Sequence, residues 1–315
     1  MIDVRHYGSM VAGRATRLRG VTTLAPADTA ARLANVADVL REAVHRTAGR
    51  LPLEPRFEVK ALLAAHLYDD ARAIPELRRR VEELGGAPHG PGEELSRLLD
   101  RDVYGALKPA LIAALETHAH QLDPLADECS LHVVTRLVHR QRRHLAELPA
   151  DREDDLPADL SSLPRSADHT RHLTVMPRLD RPARDAFLQV VEHAGEQHPA
   201  HALLDAKLCA AELLARTSHE HPEMPDEFHL DLARAARDAT RHAELLDRHM
   251  STELGIHWGA FPVAFTEFRE AYEQDLAGRL AALDGARSDY AQGSAEFDHM
   301  RADDDSRARA TARWR

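Results

Sequence analysis

Apolar residues recur at every third or fourth position through most of the chain, which is the spacing produced by one buried face of an α-helix. Asp28 stands just before the first such run and has the side chain of a helix N-cap. The run ends at Gly49 and contains Leu33, Val36, Leu40 and Val44. We therefore predict a first helix over residues 28–49.

The same periodicity predicts further helices, separated by breaks rich in glycine and proline. Residues 149–182, rich in Pro, Asp and Ser, predict a long irregular crossover instead. No stretch alternates apolar and polar residues as a half-buried strand would, so the pattern favours an all-α helical bundle with additional flanking helices. The further predicted helices cover residues 56–84, 93–100, 103–121, 123–148, 200–215, 226–254 and 262–283.

The two ends of the chain lack this periodicity. Residues 1–26 predict an irregular arm, and residues 27–285 predict the helical bundle domain. Residues 286–315 are dense in Asp and Arg and low in aliphatic side chains. Such a composition predicts a polar, loosely held tail.

Composition and charge narrow the classes of function. The formal net charge of −11 over 315 residues argues against broad nucleic-acid binding, which requires clustered positive charge. No segment approaches 18 uncharged apolar residues, and the N-terminal residues have no signal-peptide core, so we expect no membrane span and a cytoplasmic protein. Cys129 and Cys209 lack metal-finger spacing, which fits a reducing compartment.

The stretch RDATRH late in the chain looks like a metal-binding element with one ligand missing. In carboxylate-bridged two-metal bundles, Glu-x-x-His places both ligands on one helix face, and here Ala239 stands at the glutamate position. Intact units occur at Glu42 with His45 and at Glu296 with His299. The first lies opposite the apolar stripe of its helix and the second lies in the predicted tail, so both are poor candidates.

Interrupted motifs are better placed, because they lie on faces predicted to be buried. His242 shares the inward face of its helix with Ala239, and Asp238 flanks it. Gln141 and His144 share a face of the helix over 123–148. A polar cavity and a set of separately satisfied core residues both fit this pattern.

Two further helices contribute candidates. The helix over 56–84 carries Glu58, His66 and Asp70 on one broad face. Lys207 lies at the edge of an apolar stripe, where it either extends to the surface or fills the space and charge of a missing ion. Lys207 is one of only three lysines in the chain.

Several runs, taken in order, resemble a large and mostly uncharacterised bacterial family of ferritin-like proteins. The resemblance covers about residues 55–285, and the order of the runs is more specific than any one motif. It implies a ferritin-like bundle of the di-iron carboxylate superfamily, whose members carry paired metals, usually iron, and often activate oxygen. The runs are FEVKALLAAHLYDDARA, YGALKPALIAAL, LDPLADE, LLDAKLCAAELLA, EFHLDLARAARDATRHAELL and ELGIHWGAFPV.

Compared with the family pattern, the ligand set of this chain is degenerate. The family unit D-A-E-H corresponds to DARA beginning at Asp70, D-E-E-E-H corresponds to RQRRH ending at His144, and D-E-A-R-H corresponds to DATRH ending at His242. The arginines beside Gln141 work against cation binding. If metal is retained, its predicted ligands are Glu58, His66, Asp70, His144, Glu212 and His242.

Three functions remain open from the sequence. The first is a ferritin-like small-molecule enzyme whose metal site is lost or altered, with His144, His242 and Asp238 in acid–base roles and Gln141, Lys207 and Ala239 lining its cavity. The second is a non-haem di-iron oxygenase or oxidase with an atypical ligand set. The third is a non-catalytic binding module. The cofactor is thus either none or iron, and a homodimer is an expectation from the resemblance.

Overall fold

The computed structural model describes residues 24–54, 56–87, 102–148, 199–255, 271, 274–285 and 295–314. Every regular element within these ranges is helical, and the ranges contain no β-strand, which confirms the all-α prediction. The described ranges contain the helices α1 (Pro26–Arg50), α2 (Phe57–Glu83), α3 (Lys108–Gln121), α4 (Glu128–Glu147), α5 (Pro199–Glu220), α6 (Asp226–His249), α7 (Leu276–Gly285) and α8 (Ala295–Arg313).

Backbone hydrogen bonds and backbone conformation explain where the helices begin and end. At α1, Pro26 takes the first helical position, where its missing amide costs nothing. The amides of Asp28 and Thr29 both donate to the carbonyl of Ala25 at 3.0 Å, so Asp28 lies in the first turn and is not the cap. After α6, a π-helical turn over Met250–Leu254 ends at Gly255, whose φ of 63° is left-handed, as the predicted helix end requires.

The described residues form two compact units. The first draws on residues up to Val39 and on Ala73–Ala146. The second draws on Leu40–Arg72 and on residues from Glu147 onward. Helices α1 and α2 therefore each contribute part of their length to each unit.

In the first unit, side-chain bonds connect helices that also bury apolar residues. Arg78 Nη2 donates to Asp38 Oδ1 at 3.1 Å, which connects α2 to α1. Arg80 Nε donates to Ser130 Oγ at 3.0 Å, which connects α2 to α4. The buried apolar residues of this unit include Leu33, Val36, Leu77, Val81, Leu111, Leu115, Val134 and Leu137.

In the second unit, α5 and α6 form the centre of the core. One apolar cluster joins them to α7 through Leu213, Phe228, Leu232 and Leu280. A second cluster joins the beginning of α2 and part of α8 to the same two helices. Its members include Phe57, Leu204, Leu208, Leu246, Met250 and Met300.

Where the sequence predicts a loosely held tail, the structure has the helix α8. Met300, Asp304, Arg307 and Thr311 on this helix are all buried. They follow each other at helical spacing, yet three of the four are polar. A search for apolar periodicity therefore misses the helix.

Several predicted elements lie outside the described residues. They are residues 1–23 of the arm, the short helix over 93–100, the crossover over 149–182 and residues 262–270 of the helix predicted over 262–283. Among the helices that are described, none combines the length and apolar character needed to span a membrane.

Candidate functional site

A buried lysine and a buried histidine, each held by an aspartate of α8, form a group of charges in the second unit. Lys207 on α5 is 1% exposed, and its Nζ lies 2.6 and 2.8 Å from the two carboxylate oxygens of Asp304. Arg307 Nη1 lies 3.0 Å from the same carboxylate. Two cations therefore share one buried anion.

His242 on α6 is held by the neighbouring aspartate. Its Nε2 lies 3.0 Å from Asp303 Oδ2, and Arg241 also donates to that oxygen. Because a carboxylate accepts hydrogen bonds, Nε2 carries the proton of the neutral ring. Nδ1 then carries a lone pair, and this atom is buried without a hydrogen-bond partner among the described residues.

Burial shifts the pKa values of Lys207, His242 and Asp238. It lowers the pKa of Lys207 from 10.5 to about 8, against the attraction of Asp304. It lowers the pKa of His242 from 6.5 to about 4, against the hydrogen bond that His242 donates to Asp303, with Lys207 adding a further decrease. Burial and then the charge of Asp303 raise the pKa of Asp238, while Arg241 opposes this. We refer below to Lys207, Asp238, His242, Asp303, Asp304 and Arg307 as the Lys207 site.

The sequence predicted half of this site. His242 was expected to face inward beside Ala239, with Asp238 flanking it, and His242 and Ala239 are both buried. Lys207 was predicted either to extend to the surface or to lie inward, and it lies inward. Asp303, Asp304 and Arg307 were missed, because they lie in the predicted tail. These residues follow Met300 by three, four and seven positions, which is the spacing of one helix face and could have revealed them.

The other two lysines are also fully buried. Lys60 on α2 donates to Glu212 Oε1 on α5, and both side chains lie within the second unit. Glu212 is the carboxylate that the resemblance assigned to a metal. An ammonium group therefore contacts this carboxylate.

Gln141 and His144 contact the third lysine, in the first unit. Lys108 Nζ lies 2.7 Å from Gln141 Oε1 and 3.1 Å from His144 Nδ1, and all three side chains are buried. The same ammonium lies 5.3 Å from the ring centre of Tyr104, within reach of a cation–π interaction. The inward direction predicted for Gln141 and His144 is confirmed, and their neighbour is a cation.

The remaining candidates on α2 differ in burial. His66 and Asp70 are buried, and His66 Nε2 lies 3.0 Å from Glu147 Oε2. Glu58 is exposed, so its predicted inward direction is wrong. Lys60, two residues later, takes the inward position.

The donor set does not fit a paired metal centre in the part of the chain that is described. Those residues contain no group of three or more His, Cys, Asp or Glu side chains able to hold a metal ion. Two iron ions need several anionic oxygens to bridge them and to offset their charge. Glu212 instead contacts Lys60, and His144 contacts Lys108.

Histidines outside the predicted set form a second cluster. The rings of His45 and His219 stack with their centres 4.3 Å apart. His229 Nδ1 lies 2.9 Å from Ser218 Oγ. Burial lowers the pKa of all three imidazoles, that of His45 to about 4.

Of the intact Glu-x-x-His pair in the predicted tail, His299 is exposed, and the surroundings of the Glu296 side chain lie outside the described residues.

An open cavity of about 420 Å³ lies between α2 and α4 in the first unit. Its wall includes Glu76 and Arg80 from α2, and Glu128, Cys129 and His132 from α4. No predicted site residue lines it. Of its charged wall residues, Arg80 Nη1 lies 2.8 Å from Glu83, and Glu76 pairs with Arg136.

Comparison of the chain with protein-family models, with curated proteins and with solved structures found no match. The ferritin-like resemblance therefore remains a prediction. Function has to be argued from the chemistry of the site and not from a relative.

Proposed function

We propose that this chain is a ferritin-like enzyme that performs acid–base chemistry on a small molecule without a metal, at the Lys207 site. One observation supports this most directly. A buried lysine whose pKa is lowered to about 8 shares a charge cluster with a neutral histidine whose Nδ1 lone pair has no partner among the described residues. Strongly shifted groups of this kind concentrate at functional sites, although structural ion pairs shift pKa values too.

The proposed roles follow from the pKa values. A proton-transfer group works best when its pKa lies near the working pH, and Lys207 meets that condition. His242 stays neutral at pH 7, so its Nδ1 accepts a hydrogen bond from the substrate and orients it. Before a substrate binds, Asp303 fixes the tautomer and the direction of the imidazole.

The buried ammonium groups support the metal-free form of this proposal over the di-iron form. A metal centre would place cations against Glu212 and His144. In this chain Lys60 and Lys108 supply positive charge at those two residues from within the protein.

The proposal is tested by proton exchange with solvent. Chelator-treated protein is incubated in D₂O with a panel of small carboxylates and carbonyl compounds, and loss of carbon-bound protons is followed by ¹H NMR. We expect catalysed exchange of at least one compound, with a rate that changes near pH 8 and is lost in Lys207→Gln. Asp305→Asn is the matched control, because Asp305 is exposed on α8. Exchange that survives Lys207→Gln, or that requires added iron, contradicts the proposal.

A second function is favoured by a different observation. The inward side chains contact one another: Lys60 pairs with Glu212, Lys207 with Asp304, and His66 with Glu147. Such pairing is what a non-catalytic binding module needs, because buried charges must be compensated. In that case the panel shows no exchange, and Lys207→Gln changes stability alone.

A further inference from the structure

We propose that α8 is a displaceable internal ligand of the Lys207 site, whose Asp303 and Asp304 carboxylates stand where a small dicarboxylate binds. This inference rests on the proposed function for its choice of site. It adds the substrate class, a small molecule with two carboxylates, and a means of regulation, since α8 covers the site until the ligand replaces it.

The first support is the origin of the two carboxylates. Lys207 lies on α5 and His242 on α6, whereas the aspartates that contact them are adjacent residues of α8. One element therefore supplies both anionic contacts. Two carboxylates on one small molecule would make the same contacts, a two-oxygen contact to the ammonium and a hydrogen bond from the imidazole.

The second support is the weak apolar attachment of α8. Over residues 299–314, the buried side chains are Met300, Asp304, Arg307 and Thr311, and only the first is apolar. Trp314, which is partly buried, adds contacts beyond the helix end. Burying one such large side chain stabilises by about 1.5–3 kcal/mol. Over residues 299–314, the docking therefore depends on charge pairs, which a competing anion can replace, as well as on apolar burial.

The third support is an open edge. The side chain of Asp303 is 27% exposed and that of Arg241 is 44% exposed, although His242 is 1% exposed. A small anion can therefore contact Arg241 first and replace Asp303 before it reaches the buried Lys207. The incoming anion thus replaces the two aspartates one after the other, so Lys207 and His242 are not both exposed to bulk water during the exchange.

Trp314 provides the reporter for a test. It packs edge-on against Phe228 at 5.5 Å, and its Nε1 donates to Asp231 Oδ2 at 2.9 Å. The chain has two tryptophans, so Trp258→Phe leaves Trp314 as the only one. Release of α8 exposes Trp314 and moves its fluorescence emission to longer wavelength.

The experiment titrates the full-length Trp258→Phe protein with malonate and with succinate, against sodium chloride at equal ionic strength. We expect a saturable emission shift with one of the dicarboxylates and none with chloride. Adding Asp304→Asn lowers the half-saturating concentration about tenfold, within the usual range of coupling between sites. Adding Asp305→Asn leaves it unchanged. Lys207→Met abolishes the response.

Two outcomes overturn the inference. One is an equal response to chloride and to both dicarboxylates. The other is an equal effect of Asp304→Asn and Asp305→Asn. If Asp304→Asn does not fold, as judged by circular dichroism, Asp303→Asn at the partly exposed neighbouring residue replaces it with the same expected direction. A saturable emission shift without catalysed proton exchange supports the internal ligand and contradicts the acid–base function, so the two can fail separately.

Discussion

Lys207 and Asp304 are 97 residues apart in the chain, and the ammonium of the first lies 2.6 and 2.8 Å from the two carboxylate oxygens of the second. Both side chains are less than 5% exposed. The pair joins α5 to α8 inside the second unit. The free energy that this pair contributes to folding therefore depends on whether both charges are present.

Removing one charge of this pair should cost far more than removing both. Lys207→Met removes one of the cations that contact the buried Asp304 carboxylate, and breaking a buried pair costs about 3–5 kcal/mol. The double variant Lys207→Met with Asp304→Leu should recover much of that loss. Urea unfolding at pH 7 measures both, with Asp305→Asn as the surface control. A double variant whose loss equals the sum of the two single losses contradicts the pairing.

Much of the helical framework was predictable from the sequence, because apolar residues at helical spacing dominate it. The predicted ranges for α1 and α2 agree with the observed ends within two residues, and the helix predicted over 103–121 is a π-helical turn over Val103–Leu107 followed by α3. The helix α4 begins later than predicted, at Glu128, because Asp123 Oδ1 accepts from the amides of Leu125 and Ala126 and forms a turn instead. Local side-chain bonding of this kind is not visible as periodicity.

The site was harder to predict, because its inward positions are polar. Glu58 was expected inward as a carboxylate, but Lys60 occupies that place on α2 and Glu58 is exposed. A lysine is normally assigned to the surface, and its burial depends on a partner in another helix. Glu212 is 152 residues from Lys60, so no local pattern pairs them.

Acid should destabilise the second unit through His45 and its neighbours. The folded pKa of His45 is about 4, below its usual 6.5, because of burial and then the nearby His219, His229, Arg41 and Arg46. Between pH 6.5 and pH 4 the unfolded imidazole therefore binds a proton that the folded one does not. Stability is fully present above pH 6.5 and falls as the pH approaches 4, at about 1.4 kcal/mol per unit of pKa difference.

The measurement is the free energy of unfolding in urea at intervals from pH 7.5 to pH 4.5. His45→Gln removes the titrating group and should flatten the decrease. His299→Gln is the control, since His299 is exposed on α8. A pH dependence that is the same in all three proteins would contradict the assignment to His45.

The first unit offers a substitution that should stabilise the protein. His118 on α3 is 2% exposed, and both of its ring nitrogens are buried without hydrogen-bond partners among the described residues. Burial, then the charge of Arg32, lowers its pKa to about 4, against the attraction of Asp127. His118→Leu removes an unsatisfied polar group, whose burial costs about 1–3 kcal/mol.

The gain from His118→Leu should be larger at pH 5 than at pH 7.5. At pH 5 the unfolded histidine is protonated and the folded one is not, so the wild-type protein loses stability that the variant keeps. Differential scanning calorimetry at the two pH values measures this difference. A lower melting temperature for the variant at both values would show that the imidazole has a bonding role.

Metal content tests most directly whether the chemistry of the Lys207 site is metal-free. The protein is produced with supplemental iron, purified without chelator and analysed by plasma mass spectrometry beside the His242→Ala variant. The account predicts no stoichiometric metal in either protein, because Lys60 and Lys108 provide the positive charge beside Glu212 and His144. About two irons per chain, lost in the variant, would contradict it and would identify a carboxylate-bridged metal centre.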